Sequence, residues 1–583
     1  MCESCGVPNL GSAAERAGVT RHAARTAAAA TAKLQVAACA GPAPAPSPDA
    51  DLVLYNGTII QDPLSGKTAE AIAIRGNRIV AVGDRAEVVR QAGRDTEQRD
   101  LQGRTVTAGL IDSHLHQYMG AMEQANTSLL EARDLADVVA AIGARVTRTP
   151  AGQWVCARGG WHESLLAEAR LPTRAELDPV SPNNPVFIPR GGHVVTVNSE
   201  ALRIAGITRD TPDPDGGVIV RDANGEPTGV LLESAAQLVR KRLPAPPDTA
   251  EQQRLLRQKI AEHAALGITS VTEPGLTTAQ YEQYVALRQA GRLEVRAHIL
   301  LWARSMTDVE TLTASMLPRS GDDMLRLDGF KTAADGGVEG AYLHQPYQIV
   351  PGEQPNSDYV GTLNLPSGGE AELAGMYVAA ARRGFQFQTH AVGDAAFDHV
   401  VRALELADGE IALAPHRFAI MHLFLPSGAG LASMKRMGII ATVQDHPVLL
   451  GNNQLRWWGA DRAARAIPIR TILDAGITTG GGTDAPVCPP SPLWSMGWMT
   501  TRKTLRGNVL GPGQAITPAE ALHLYTIGSA YTQFAEDCIG SLAPGKLADL
   551  VVLDGNPLTV QADEIRDIQV MLTMVDGKTV YER

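Results

Sequence analysis

The sequence predicts an α/β protein: a TIM-like (β/α)8 barrel, a small β-sandwich domain assembled from both chain termini, and a large insertion after the first barrel strand. Three observations lead there. Eight Val/Ile/Ala-rich segments alternate with stretches of helical character such as TAEQQRLLRQKIAEHAALG, the pattern of a parallel sheet wrapped by helices. Nearly all of the eight end in His, Lys, Asp or Glu, and the C-terminal edge of the strands is where such barrels keep their chemistry. Both ends of the chain have the texture of short, turn-linked strands.

Size and charge narrow the function. The 583 residues, 44% hydrophobic and 20% charged, suffice for one large core and at least one smaller one. Lys and Arg total 52 against 63 Asp and Glu, a net charge of −11, and without a dense basic run nucleic acid is not an expected partner. No stretch of about 18 uninterrupted apolar residues offers a membrane span. Six cysteines are too sparse for a disulfide framework, which predicts reduced thiols. Cys2 and Cys5 form a lone CxxC, without the second pair or nearby His of a metal finger.

In chain order, residues 1–50 are Ala-rich and then Pro-rich, the composition of a tail and linker. Arg21, Arg25 and the stretch leading to Cys39 resemble a worn export signal, so the expected localisation is cytoplasmic, with export and lipid anchoring through Cys39 as the alternative. From Asp51, DLVLYNGTII and EAIAIRGNRIVAVG read as strands with NG and RGN turns. KLADLVVLD and IQVMLTMVDGKTVYE match them at the other end, so residues 51–107 and 537–583 are expected to form the composite domain. Residues 108–536 hold the barrel, with strands at VTAGLIDSHLH, GITSVTEPG, LEVRAHILLW, RLDGFKTAADG, FQFQTHAVGD, HRFAIMHLF, GIIATVQDHP and GITTGGGTDAP. Residues 120–262, between the first two strands, are too long for a loop and are expected to cover the active site.

The strand ends carry the chemistry. In DSHLH, alternation places His114 and His116 on one face of an extended segment, able to approach one metal. Lys331 in GFKTAADGG, His390 in FQTHAVGD, His422 in AIMHLF and Asp484 in GGTDAP end four further strands. Neutral imidazoles and a carboxylate are what Zn2+ takes as ligands, and a lysine at such a place is costly unless it is used. A metal-dependent hydrolase barrel accounts for all of them. Lys331 is open to two readings, a ligand or a cation contacting substrate beside a single metal.

The ordered motifs LIDSHLH, PTRAELDPVSPNNPVFIPRGGH, VNSEAL, GGVIVRDANGEPTGV, HAVGDAA, GTDAPV and SLAPGKLADLVVLD resemble the amidohydrolase superfamily. The resemblance is to its family 3, the N-substituted formamide deformylase-like metal-dependent hydrolases, and runs from about Asp51 to the C-terminus. It implies one or two divalent metals per chain, expected to be Zn2+. His114 and His116 with Asp484 would hold the more buried one, His390 and His422 a second, and a carboxylated Lys331 would bridge them. The implied activity is hydrolysis of a non-peptide carbon–nitrogen bond of amide or formamide type by a metal-activated hydroxide, with Asp484 as general base. Deamination, carbamate or ester hydrolysis on the same fold is the alternative, and a catalytically silent small-molecule-binding barrel the remote one. Trp161, His193 and Asn198 in the insertion and His446 in QDHP are candidate substrate contacts. His162 and Met421 stand where relatives usually carry acidic residues, departures that put a transfer of formamide specificity in question. The expected partner is a small-molecule substrate, with a homodimer as an open arrangement.

Overall fold

The computed structural model describes residues 49–349 and 358–583; the expectations for the N-terminal tail, including Cys2, Cys5 and Cys39, lie outside the described residues. Eight parallel strands form the central sheet: β1 (Leu110–Asp112), β2 (Ile268–Leu276), β3 (Arg296–Trp302), β4 (Leu325–Ala333), β5 (Gln386–Ala391), β6 (Ala419–His422), β7 (Ile440–Val443) and β8 (Thr479–Gly481). Neighbours in sequence are neighbours in the sheet, and each strand overlaps one of the eight segments picked out above, two of them running one residue beyond it. Every residue of β2 and β5 is buried, as expected where one face of a parallel sheet meets helices and the other meets the barrel interior.

Helices follow the strands with ordinary start signals. Thr277 opens Thr278–Gln289 with a capping box to Gln280, Ser305 caps Met306–Ser315, and Asp248 caps Thr249–Ala264; each satisfies backbone donors that a helix start leaves free. The seam between β1 and β8 is bridged just beyond the strands. Ser113 N donates to Gly481 O at 2.9 Å, and Asp484 N to His114 O at 2.7 Å. Only glycine permits this approach at position 482, where a Cβ would lie 2.8 Å from His114 N.

Strands from both chain ends share one eight-stranded sheet. Thr105–Ala108 pairs antiparallel with Leu550–Leu553, Ala108 opposite Leu550, which joins the two segments directly. Ile79 near one edge and Leu572 near the other belong to one apolar cluster with Ile72, Val106, Leu550 and Val552, so the sheet curls over a common core. A buried ion pair clips it to the barrel, Arg296 Nε to Asp549 Oδ2 at 2.6 Å and Nη2 to Oδ1 at 2.8 Å.

Between β1 and β2 the chain builds a five-stranded sheet of Val155–Cys156, Val186–Arg190, Val194–Val197, Gly217–Arg221 and Pro227–Glu233, with its own apolar clusters around Trp161 and Phe187. It is tied to the barrel where Ser164 Oγ donates to Leu449 O at 2.6 Å and Asn453 Nδ2 to Glu163 Oε1 at 2.7 Å. No helix among the described residues is long and apolar enough to cross a membrane. Among the described residues, Cys156 and Cys488 are free thiols.

Candidate metal centre and active site

The C-terminal strand ends converge on one buried cluster. His114 and His116 follow β1, and their Nε2 atoms lie 3.3 and 3.2 Å from Asp484 Oδ1. One ligand atom each of His114, His422 and Asp484 fall within 4.8 Å of one another. The His390 ring stands edge-on to that of His422, 4.5 Å between centroids, and His114 is 4.8 Å from His422 in the same measure. Lys331, buried near the end of β4, reaches toward the group with its ammonium 5.4 Å from the Trp302 ring centre.

Hydrogen bonds fix which ring nitrogens are free. His422 Nδ1 is 2.7 Å from Gln444 Oε1, an acceptor, so the ring proton sits there and the Nε2 lone pair is left open. His390 Nε2 likewise bonds the Gly336 carbonyl at 2.9 Å, leaving Nδ1 without its proton. Asp112 accepts from Thr483 Oγ1 at 2.7 Å, Thr483 N at 3.1 Å and His114 N at 3.0 Å, locking the β1 end to the β8 end. His422 and Asp484 both adopt left-handed backbone, φ 72° and 57°, a conformation that costs a non-glycine residue roughly 1–2 kcal/mol and that clusters at functional sites.

The electrostatics keep the imidazoles neutral and the carboxylate charged. Burial pushes His114 down to about 3 despite the nearby Asp484 carboxylate. Burial, with the Lys331 charge behind it, lowers His116 and holds His390 well below the usual range; burial does the same to His422. For Asp484 burial works the other way, yet His114, His116 and His446 hold its carboxyl well below the ordinary value. Both His114 ring nitrogens and Asp484 Oδ1 are buried without a hydrogen-bond partner. Such orphaned donors and acceptors call for something they bind, and imidazole nitrogens beside a carboxylate oxygen fit a divalent cation.

Above the cluster lies an open-mouthed cavity with His390, His422 and Asp484 at its floor and residues of the insertion at its walls. Trp161 lines it, held by its indole N–H on Pro189 O at 2.8 Å. His193 also lines it, and although burial opposes the charged form, the Glu233 carboxylate 2.9 Å away raises its pKa. His446 donates from Nε2 to Asp484 Oδ2 at 2.9 Å and packs on Phe424. Asn198 is elsewhere: it caps the helix Ser199–Ala205, and its amide is spent on Val186 N, Ala201 N, Ser181 and Asn184 O. Sequence reasoning missed Gln444, although it stands in the same QDHP segment as His446. It also missed a wall of buried charges, Arg190 between Glu163 and Glu339. Arg190, a charge closing the apolar run PVFIPR, carried a signal; Glu339 carried none.

Comparison with known proteins agrees with this architecture. The chain is 32% identical over 550 residues to the N-substituted formamide deformylase of Arthrobacter pascens, covering 91% of this chain and 98% of that protein. Crystal structures of uncharacterized metal-dependent hydrolases resemble it: that from Pyrococcus furiosus with a TM-score of 0.66 and 26% identity, covering 87% of this chain and 100% of the other, and that from Pyrococcus horikoshii with a TM-score of 0.69 and 24% identity, covering 88% and 99%. The model described as the amidohydrolase family matches residues 97–581. With the barrel, its strand-end histidines and a family match over most of its length, the chain belongs to the amidohydrolase family and is a hydrolase.

Proposed function

We propose that the protein hydrolyses the carbon–nitrogen bond of a small, non-peptide amide, with N-substituted formamides first among the candidates because of the similarity to the Arthrobacter pascens deformylase. The observation that carries this reading is the floor of the cavity: orphaned, neutral imidazole nitrogens surrounding an ionised, partly unpartnered Asp484 carboxylate. His114, His116 and Asp484 would hold a divalent cation, Zn2+ by the chemistry of the donors, with His422 beside it and His390 and Lys331 available for a second. Such a cation supplies a Lewis-acidic charge that polarises a carbonyl and makes water acidic enough to attack near neutral pH.

The chain's own residues supply the rest. Asp484, kept ionised by the histidines around it, accepts the proton of the attacking water at a carboxylate oxygen and returns it to the departing nitrogen, so that an amine can leave. His446 holds the other carboxylate oxygen and thereby the rotation of the group. Trp161 and Phe424 give the cavity apolar walls that exclude water from the reacting bond.

The test is a panel of N-substituted formamides, other amides, carbamates and esters offered to protein purified without chelator, with metal content per chain measured on the same sample. Amide turnover that requires metal and falls by at least about 1,000-fold in Asp484→Asn is the expected result. Turnover confined to esters or carbamates, or Asp484→Asn with full activity, would remove the amide assignment or the proton-transfer role respectively. About two metals per chain would support a carboxylated Lys331 as a bridge, and about one would leave Lys331 a cation.

A further inference from the structure

The lining of the cavity includes a residue whose hydrogen-bond donor the protein itself does not use. His162 lines the cavity and is 2% exposed. It stands at the start of the short 3-10 turn Glu163–Leu165, where its Nδ1 lies 3.0 Å from the backbone N of Ser164. A backbone N–H can only donate, so Nδ1 is the unprotonated nitrogen. The Ser164 hydroxyl, 3.0 Å from the same Nδ1, does not compete, since it donates to Leu449 O at 2.6 Å. Burial and the neighbouring Arg190 charge hold the ring neutral, so its one proton is on Nε2, and Nε2 has no hydrogen-bond partner.

A buried N–H left unpaired costs on the order of 1–3 kcal/mol, and a protein retains one in a cavity wall when a ligand satisfies it. We infer that His162 Nε2–H is a recognition donor for an oxygen acceptor on the part of the substrate remote from the scissile bond.

The surroundings narrow the acceptor to a neutral one. Arg190, the neighbouring cation, is paired with two carboxylates: Nη2 donates to Glu163 Oε1 at 3.2 Å, Nη1 bonds Glu339, and Nε stands in ion-pair contact 2.9 Å from Glu163 Oε2. One guanidinium against two carboxylates leaves this wall with a surplus negative charge, which repels a carboxylate or phosphate on the substrate. Trp161, Phe424, Leu449 and Leu450 add apolar surface to the cavity. The substrate class is therefore a neutral amide whose apolar, ring-sized substituent bears an ether, hydroxyl or carbonyl oxygen. This rests on the amide-hydrolase reading for the reacting end only; the donor itself is independent of it.

The experiment compares N-(2-phenylethyl)formamides carrying either methoxy or the near-isosteric ethyl group at the ortho, meta or para position, on the full-length metal-loaded protein. Pairs that turn over are compared by kcat/KM, and pairs that do not are compared by Kd from calorimetry. Two variants separate recognition from the local turn: His162→Asn, whose side-chain oxygen can still accept from Ser164 N but which has no distal donor, and His162→Gln, whose amide N–H reaches near the Nε2 position. The expected result is a preference for methoxy of at least about fivefold at one ring position, the size of one neutral hydrogen bond, lost in His162→Asn and kept in His162→Gln. Equal treatment of methoxy and ethyl by the wild type at all three positions, or a preference that survives in His162→Asn, overturns the inference. Binding with that preference but no hydrolysis supports the His162 donor while ending the amide-hydrolase reading. Absence of both binding and turnover for every member overturns the substrate class.

Discussion

His446 Nε2 donates to Asp484 Oδ2 across 2.9 Å, joining the end of β7 to the end of β8 through the carboxylate on which the proposed chemistry turns. The bond has two effects. It fixes the rotation of Asp484, so that Oδ1 faces His114 and His116, and it contributes to holding the carboxyl ionised. His446→Leu is expected to lower kcat by about 10–100-fold, the usual cost of removing a partner that orients a metal-site group. Metal content should stay unchanged, and His446→Gln, which restores an N–H near Nε2, should recover part of the loss. Full kcat in His446→Leu would show that Asp484 needs no such support.

Gln444 does for His422 what His446 does for Asp484. Its Oε1 accepts from His422 Nδ1 at 2.7 Å and so keeps the Nε2 lone pair open. In Gln444→Leu the ring loses that restraint, and metal release to a chelator should accelerate by about 10–100-fold. Gln444→Glu, which retains an acceptor, should release metal at close to the wild-type rate. Identical release from Gln444→Leu would mean that packing alone sets the His422 ring.

These two partners mark the boundary of what the sequence reveals. The eight strands were legible because a buried parallel strand is a short apolar run, and because the ionisable residue closing nearly all of these runs breaks that composition visibly. His114, His116, His390, His422 and Asp484 were legible for the same reason. Gln444 was not: an amide after ATV looks like the start of any loop, and its role exists only once β6 and β7 lie side by side. The wall of Arg190, Glu163 and Glu339 joins residues 149 apart in sequence, a separation at which no local pattern survives. Asn198 erred in the other direction. An asparagine between an apolar strand and SEAL reads equally as a contact or a helix cap, and the structure uses every polar atom of it as a cap and clamp.

Gly482 offers a test of the barrel seam. A methyl group there would stand 2.8 Å from His114 N and 3.0 Å from His114 O, and neither backbone atom can yield without moving the histidine. Gly482→Ala should therefore destabilise the fold by about 1–3 kcal/mol, as overpacking does, and weaken metal retention along with it, because the displaced residue is a proposed ligand. Denaturant unfolding and metal content of the same preparation check both. A variant with unchanged midpoint and full metal would show that the seam has slack.

His263, which does not line the cavity, makes stability depend on pH. It is buried in the helix Thr249–Ala264, and Gln117 Nε2 donates to its Nδ1 at 2.9 Å, an arrangement that needs the neutral ring. Burial, assisted by the Lys259 charge, pushes its pKa from 6.5 down to about 3. The sign follows from proton counting. Between these two values the unfolded chain binds a proton that the folded chain refuses, so the contribution is fully present above about pH 6.5 and is lost as pH falls toward 3, at about 1.4 kcal/mol per pH unit. His263→Gln keeps an acceptor for Gln117 and cannot be protonated. Urea unfolding from pH 7.5 to 4.5 should then show wild type losing on the order of 3 kcal/mol more than the variant over that range. Parallel pH profiles for the two proteins would mean that water or a local opening protonates His263 without cost, and that the Gln117 contact does not depend on the neutral ring.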